Sequence, residues 1–320
     1  MARQTAGELP LAAPPRESGG AARRAPRWRW LREALTGYGF AAPYLILFAV
    51  FLAVPIVASL VISFTDFSLG AIDDPADAKF VGLQNYQDLL GDQKFRSSVV
   101  NTAYFVLAGV PLTMAAGLAA AVGLNSQVVR FRALFRVGYY TPVVMSIVAI
   151  AVVWRYVLDP DVGLLNNVLD AAGLPRVAWL STPALAMPSI ILIAVWRNLG
   201  FAMVIFLAGL QGIPQETYEA ARIDGAGRWQ EFRRVTLPLL RPTMAFVAVV
   251  TSAGYLQLFE EPFVMTAGGP LDRTISVAMY MYEQGFGFFN LGYAGAIAYV
   301  LFVAILVLTV LQLRLFRSAT

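Results

Sequence analysis

The chain has 320 residues with no cysteine and no histidine, and its only lysines are Lys79 and Lys94. The missing cysteines exclude a disulfide framework and thiolate chemistry, and without cysteine or histidine there is neither a Cys/His zinc site nor an imidazole to move a proton near neutral pH. Both lysines fall in one acidic connection, so no glycine-rich loop can be closed by the lysine of a phosphate-binding P-loop. Charge is thin as well: 14% of the residues are Asp, Glu, Lys or Arg, where a soluble globular chain carries about a quarter. What is present is apolar, at 58%, and water is not the main solvent of this chain. The formal net charge of +4 does not point to nucleic acid, because nearly all the basic residues lie between apolar runs.

A helix crossing hydrocarbon needs about 20 mostly apolar residues. Six places qualify, which predicts an all-α membrane protein with six transmembrane helices. The first lies between Glu33 and Asp66, and the second between Arg96 and Arg130. A third runs from Val137 to Trp154 and is closed by Arg155, while the fourth, about Leu185 to Leu210, is interrupted by Arg197 alone. The fifth covers Pro242 to Phe259 and the sixth about Leu291 to Leu313.

Cytoplasmic connections retain Arg and Lys during insertion, and here the charge bias alternates. Arg23, Arg24, Arg27, Arg29 and Arg32 precede the first span, whereas Asp66, Asp73, Asp74, Asp77, Asp88 and Asp92 dominate the next connection. Arg130, Arg132 and Arg136 put the second connection inside, and Asp159, Asp161 and Asp170 put the third outside. The fourth carries Arg222, Arg228, Arg233, Arg234 and Arg241 and is expected inside; the fifth has Glu260, Glu261, Asp272 and Glu283 against Arg273, and the tail ends with Arg314 and Arg317. Both termini are therefore expected in the cytoplasm. Residues 1–33, rich in Ala, Pro, Gly and Arg, read as a disordered basic arm, and residues 34–320 as the transmembrane domain. The apolar run after the arm exceeds the roughly 7 to 15 residues of a signal peptide, so the first span is expected to be retained.

The fourth connection, about 212–242, is too patterned for a linker. Pro214 suits a first helical turn, Glu216 and Glu219 lie near the positive end of the helix dipole, and Gly225 with Gly227 end or bend the helix. Ala220 and Ala221 allow another surface to approach closely. A second segment follows from about Arg228, with Trp229, Phe232 and Val235 on one stripe, and Pro238 and Pro242 mark the return to the bilayer. A surface helix lying against headgroups would also carry such arginines, but has no need of paired alanines and two glycines.

Glu219-Ala220-Ala221, three residues, Gly225, nine residues, Val235, one residue, and Leu237-Pro238 resemble the signature of the binding-protein-dependent ABC importer permeases, with Val in place of Ile. The resemblance implies the type I importer fold with a cytoplasmic coupling helix between spans four and five. In that family the loop fits a groove of the ATPase subunit. Glu219 would then pair with a basic group there, Gly225 would permit the bend, Asp224 would brace the turn, and Ala220, Ala221, Arg222 and Pro238 would complete the contact. Trp196-Arg197-Asn198-Leu199-Gly200-Phe201 and Thr266-Ala267-Gly268-Gly269-Pro270 resemble the permeases of oligosaccharide, trehalose and glycerol-3-phosphate importers, and favour the maltose-permease-like first member of a permease pair. The implied partners are a second permease, an ATPase dimer that binds ATP and magnesium, an extracytoplasmic solute-binding protein, a sugar and the membrane lipid. No cofactor, metal or nucleic acid is expected on this chain, and its location is the bacterial cytoplasmic membrane.

Ionisable groups within spans usually face a cavity. Arg197 lies about 20 Å from the cytoplasmic end of its span at ~1.5 Å per residue, and with Trp196 and Asn198 it suits either a sugar or an interhelical bond. Tyr255 and Gln257 are placed along the pathway. Glu260 is placed with them on the pathway, and for Glu260 and Glu261, at the outer end of the fifth span, the alternative contact is the binding protein or another loop. Asn101 and Tyr104 read as packing groups, and Gly268, Gly269 and Pro270 as a tight external turn. A membrane-embedded enzyme would need an acid pair or a nucleophile and base that the spans lack. An ion-driven secondary transporter uses broken helices and midplane polar groups as well, but has no use for the coupling loop.

Overall fold

The computed structural model describes residues 27–71, 78–126 and 130–317. Most of the basic arm, with Arg23 and Arg24, and the acidic residues Asp73, Asp74 and Asp77 lie outside the described residues. Among the described residues the chain is helical, with one isolated bridge between Thr65 and Phe80. It divides into two units, Met1–Ile56 and Val57–Thr320.

The first unit is described from α1 (Arg27–Phe48), followed by a π-helical turn at Ala49–Ala53 and the start of α2 (Val54–Ile62). Helix α1 begins earlier than the sequence reading placed it, so Arg27 to Glu33 belong to a helix rather than to the arm. The reason is local: from Arg27 to Thr36 there is no glycine or proline to interrupt a run of good helix formers. The π-turn also has a local cause. Pro55 has no N–H to donate to the preceding turn, and the ladder widens just before it.

The second unit continues with α3 (Gln84–Gly91), α4 (Gln93–Asn125), α5 (Arg132–Val144), α6 (Ile147–Val157), α7 (Leu164–Ala171) and α8 (Ala186–Gln211). Then follow α9 (Gln215–Ile223), α10 (Arg228–Glu231), a π-turn at Phe232–Thr236, α11 (Leu237–Leu239), α12 (Arg241–Leu256), α13 (Glu260–Met265), α14 (Val277–Tyr282), a π-turn at Glu283–Gly287, and α15 (Leu291–Arg317). The turn at Phe232–Thr236 precedes Pro238 as the first precedes Pro55.

Among the described residues four helical runs are long and apolar enough to cross a membrane: Leu35–Ile62, Gln93–Asn125, Ala186–Gln211 and Leu291–Phe316. The remaining two expected spans are bent pairs. Arg132–Val144 and Ile147–Val157 meet at 98°, and Arg228–Leu239 meets Arg241–Leu256 at 65°. The third expected span is thus not one straight helix from Val137 to Trp154. Met145 is extended and Ser146 non-helical, and the Ser146 hydroxyl accepts from the Ala149 amide to start α6 afresh. Pro142, one turn earlier, has already removed a ladder donor. The fifth expected span likewise ends at Leu256 rather than Phe259, and Glu260 begins a new short helix.

Helices α4 and α8 form the spine of this unit. A Cβ on Gly117 would lie 2.6 Å from that of Ala202, and one on Gly200 would lie 2.0 Å from the Tyr139 carbonyl oxygen of α5. On the N-terminal side of these crossings, Phe105, Val106 and Val110 of α4 pack with Ile150 and Ala151 of α6 and Ile190, Ile191 and Ala194 of α8. Toward the opposite ends of α4 and α8, Leu124, Met203, Phe206 and Leu210 close on Leu240 and Val247. A third cluster joins Leu89 and Phe95 to Ile275, Tyr280, Ile297 and Leu301.

Asp92 fastens that third cluster. Its carboxylate caps α4 by accepting from the amides of Lys94 at 2.8 Å and Phe95 at 3.1 Å, and it also accepts from the hydroxyls of Tyr280 and of Tyr293, the latter at 2.8 Å. Beside it, Lys94 Nζ pairs with Glu283 at 2.7 Å. Burial pushes the Asp92 carboxyl up, but the bonds from Tyr280, Tyr293, Phe95 and Lys94 outweigh it and hold the group below 3.8.

A carboxyl lowered by folding contributes stability that is complete above its unfolded value and is lost as pH falls through its folded one. Melting of the purified protein should therefore show Asp92→Asn less stable than wild type near neutral pH, with the gap closing as pH falls below 3.8. Gly200→Ala, whose Cβ meets backbone, is expected to cost about 1–3 kcal/mol. Gly123→Ala, which meets nothing within 4 Å, should be neutral or better in the same melts.

Candidate functional site

Two places gather the residues singled out by sequence. The first is the segment joining α8 to α12. Pro214 precedes α9 in extended conformation, Glu216 stands in its first turn and Arg222 in its last. Termination follows from Gly225, which adopts φ +82. With the chain left-handed there, the Gly225 amide donates to Arg222 O at 3.0 Å and the Ala226 amide to Ala221 O at 2.9 Å, the paired bonds of a Schellman ending. Asp224 is the C-cap through its backbone amide. Gly227 then caps α10, where its amide donates to Gln230 Oε1 at 3.0 Å.

Glu219, Ala220, Arg222 and Asp224 are exposed on α9, and Ala221 is half-buried. Arg222 turns toward its own chain: its Nε donates to Glu231 Oε1 at 2.8 Å and its Nη2 to Glu231 Oε2 at 3.4 Å. Tyr218 and Thr236 hydroxyls meet at 3.1 Å and add a second tie. Trp229 and Phe232 stack with ring centroids 5.6 Å apart, although Trp229 remains 70% exposed, so the expected stripe is only partly covered. Pro238 is half-buried and begins the return toward α12.

The second place is a cavity of about 260 Å³ between α4, α8 and α12, lined by Phe105, Arg197, Asn198, Tyr255, Gln257, Glu260 and Glu261 among others. Tyr255 is buried in its wall. Its ring lies 4.8 Å from that of Phe105, in space left by Gly109, where a Cβ would come within 2.8 Å of the ring. Its hydroxyl meets Thr113 Oγ1 at 2.8 Å and accepts from Asn198 Nδ2 at 3.4 Å. Arg197 Nη2 lies 3.7 Å from Glu261, whose side chain is 6% exposed, while the buried Arg197 Nε has no hydrogen-bond partner. The Gln257 amide bonds back to Ala253 O at 2.9 Å.

Trp196 does not line this cavity. Successive helical residues point about 100° apart, and its ring instead stands edge-on to Trp154 at 5.5 Å. Asn101 is a packing group, donating to Asp272 O at 2.7 Å and Ile275 O at 2.9 Å. Thr266 to Pro270 form a tight turn with Ala267 at φ 49 and Gly268 at φ 83, held by Thr274 Oγ1 donating to Gly269 O at 2.7 Å. That turn borders a separate cavity of about 540 Å³ with Arg155, Asp159 and Ser181.

Sequence reasoning missed the roles of Glu261, Thr113 and Glu231. A signal for Glu261 existed, because a lone arginine in an apolar span calls for a counter-ion, and two glutamates follow the next break. Nothing local marks Thr113, which lies 142 residues from Tyr255.

Helices of membrane-crossing length, an exposed helix-turn-helix between two of them and a polar cavity at their breaks define a membrane permease. The chain belongs to the family described as binding-protein-dependent transport system inner membrane component, which it matches over residues 109–318. It is 34% identical over 284 residues to the lactose transport system permease protein LacF of Rhizobium radiobacter, covering 87% of this chain and 93% of that one. Among solved structures it is similar to a bacterial ABC transporter involved in import of the acidic polysaccharide alginate. That match has TM-score 0.76 and 26% identity, and covers 92% of this chain and 99% of the other. The bacterial alginate transporter in complex with alginate pentasaccharide-bound periplasmic protein gives TM-score 0.75 at 26% identity, over 89% and 95% of the two chains. The fold is thus that of a type I ABC importer permease, and the chain is an inner-membrane permease subunit of such an importer rather than its ATPase.

Removing Arg197 would leave Glu261 buried and unpaired, at a cost of about 3–5 kcal/mol. Arg197→Leu is expected to lower the melting temperature of the solubilised protein markedly, and Arg197→Leu with Glu261→Leu to regain most of the loss.

Proposed function

We propose that this chain is the maltose-permease-like first member of a permease pair in an ATP-driven sugar importer of the bacterial cytoplasmic membrane. Six spans with both termini inside form one wall of the pathway, α9 is the coupling helix, and the second permease supplies the other wall. The observation that carries the reading is α9 itself, with Glu219 and Ala220 exposed on a short helix ended by Gly225. A dimer of ATPase subunits binds ATP with magnesium and receives α9 through Glu219, Ala220, Ala221, Asp224 and Gly225. An extracytoplasmic solute-binding protein delivers the cargo. ATP binding then shifts the populations of two arrangements of the pathway through this loop.

A sugar is supported by the lactose permease relative and by the composition of the cavity. Sugar hydroxyls both donate and accept, and the lining includes the Arg197 guanidinium as donor, Glu260 and Glu261 as acceptors, and the apolar side chains of Phe105 and Tyr255. Asn198, Tyr255 and Gln257 complete the set of proposed pathway groups.

Purification of this chain from its native membrane should bring the ATPase subunit with it. Glu219→Lys is expected to reduce the recovered ATPase at least tenfold while leaving insertion unchanged. Uptake that followed a proton or sodium gradient with no ATPase present would overturn the proposal in favour of a secondary transporter.

A further inference from the structure

Helix α9 has two exits. Gly212 to Pro214 join it to α8, and Asp224 to Gly227 join it to α10 and, through α11 and the 65° bend, to α12. The second exit is a poor transmitter by composition. It contains Gly225 and Gly227, and nothing lies within 4 Å of where either Cβ would be. The bonds that close the helix end at Gly225 and the Gln230 side chain on the Gly227 amide each reach only one side of the joint, and glycine backbone populates more conformations than any other. A displacement of α9 would be absorbed there unless something bridged the joint.

The bridge is Arg222 with Glu231. They lie nine residues apart, on opposite sides of the glycine joint, and meet through Nε to Oε1 at 2.8 Å and Nη2 to Oε2 at 3.4 Å. Two parallel N–H···O bonds between planar groups fix orientation as well as distance. The Glu231 side chain is only 12% exposed although Arg222 is 58% exposed, so the carboxylate is the anchored half. Tyr218 and the buried Thr236 make the second tie across the same joint at 3.1 Å. Both ties end on the segment that leads into α12, and α12 carries Tyr255 into the polar cavity.

We infer that Arg222 and Glu231 are positioning residues that clasp the glycine joint into a rigid lever, delivering movement of α9 to α12. The inference rests on the importer reading above. It reassigns Arg222, which the resemblance places against the ATPase, to a bond within its own chain. It also adds Glu231, which stands in the stretch between Gly225 and Val235 that the family signature leaves open.

The test uses the whole importer, with its second permease, ATPase subunits and binding protein, in lipid nanodiscs. Glu231→Gln and Arg222→Gln remove the charge pairing at nearly constant volume, and Arg222→Glu with Glu231→Arg reverses it. Spin labels at Gln215 and Arg234 report the angle across the joint. The single variants are expected to retain the ATPase, to broaden the label distance distribution, and to raise the ATP hydrolysed per solute transported by roughly two- to fivefold. The reversed pair should restore both readings.

An unchanged distance distribution and unchanged ratio in both single variants would overturn the clasp, as would failure of an assembled reversed pair to restore them. Loss of the ATPase from both single variants would assign the residues to the subunit interface instead. A wild-type assembly without binding-protein-stimulated hydrolysis would count against the importer reading, while the label distances would still decide whether the clasp holds the joint.

Discussion

Backbone polar groups in an apolar medium must find partners within their own segment, and that constraint explains both the helices and the places where they stop. Two of the breaks meet at one place. Met145 and Ser146 interrupt α5 and α6, Gln257 to Phe259 interrupt α12 and α13, and the cavity around Tyr255 is lined by Val143, Ile147, Gln257, Leu258 and Glu260 from the two sides of those breaks. Irregular backbone is tolerated at such depth only beside protein or a polar space. The cavity and the broken helices are thus two descriptions of one arrangement.

Close helix packing is what lets that arrangement be specific. Gly117 admits Ala202, Gly200 admits the backbone of α5, and Gly109 admits the Tyr255 ring. Each contact requires the absence of a side chain at one position of a long helix. In lipid, where burial of apolar surface gives little drive for helices to associate, such small-residue contacts and interhelical hydrogen bonds supply the association. The hydroxyl of Tyr255, shared between Thr113 of α4 and Asn198 of α8, ties three helices at one atom. The same three helices lead toward the segment carrying α9, so the polar cavity and the exposed loop are ends of one packed body. Gly225 and the Arg222 to Glu231 pair then divide the work at the loop, one allowing the turn and the other holding its angle.

Much of this was legible from the chain alone. Apolar run length located the four helices of crossing length and the two bent pairs, because bilayer thickness sets a length that composition must meet. The loop was legible too, since Pro214, Gly225 and Pro238 act through their own backbone preferences and need no distant partner. The 98° bend was hidden inside a run that reads as a single span: hydropathy averages over a break, and the Ser146 cap is weak beside the apolar residues around it. Trp196, adjacent to Arg197 in the chain, was grouped with it although a helix sends the two in different directions. Glu261 was placed at the surface because it follows a span, whereas folding buries it against Arg197.

The sequence by itself determined the solvent, the helical class, the positions of the hydrophobic stretches and the family-like loop, because each depends on local composition or spacing. Only the tertiary structure decided which polar groups share the cavity, that Trp196 is excluded from it, that Arg222 closes on Glu231, and where helices break against one another. Those outcomes depend on pairs of residues far apart in the chain, brought within bonding distance by glycine-enabled packing, and no local pattern encodes such a meeting.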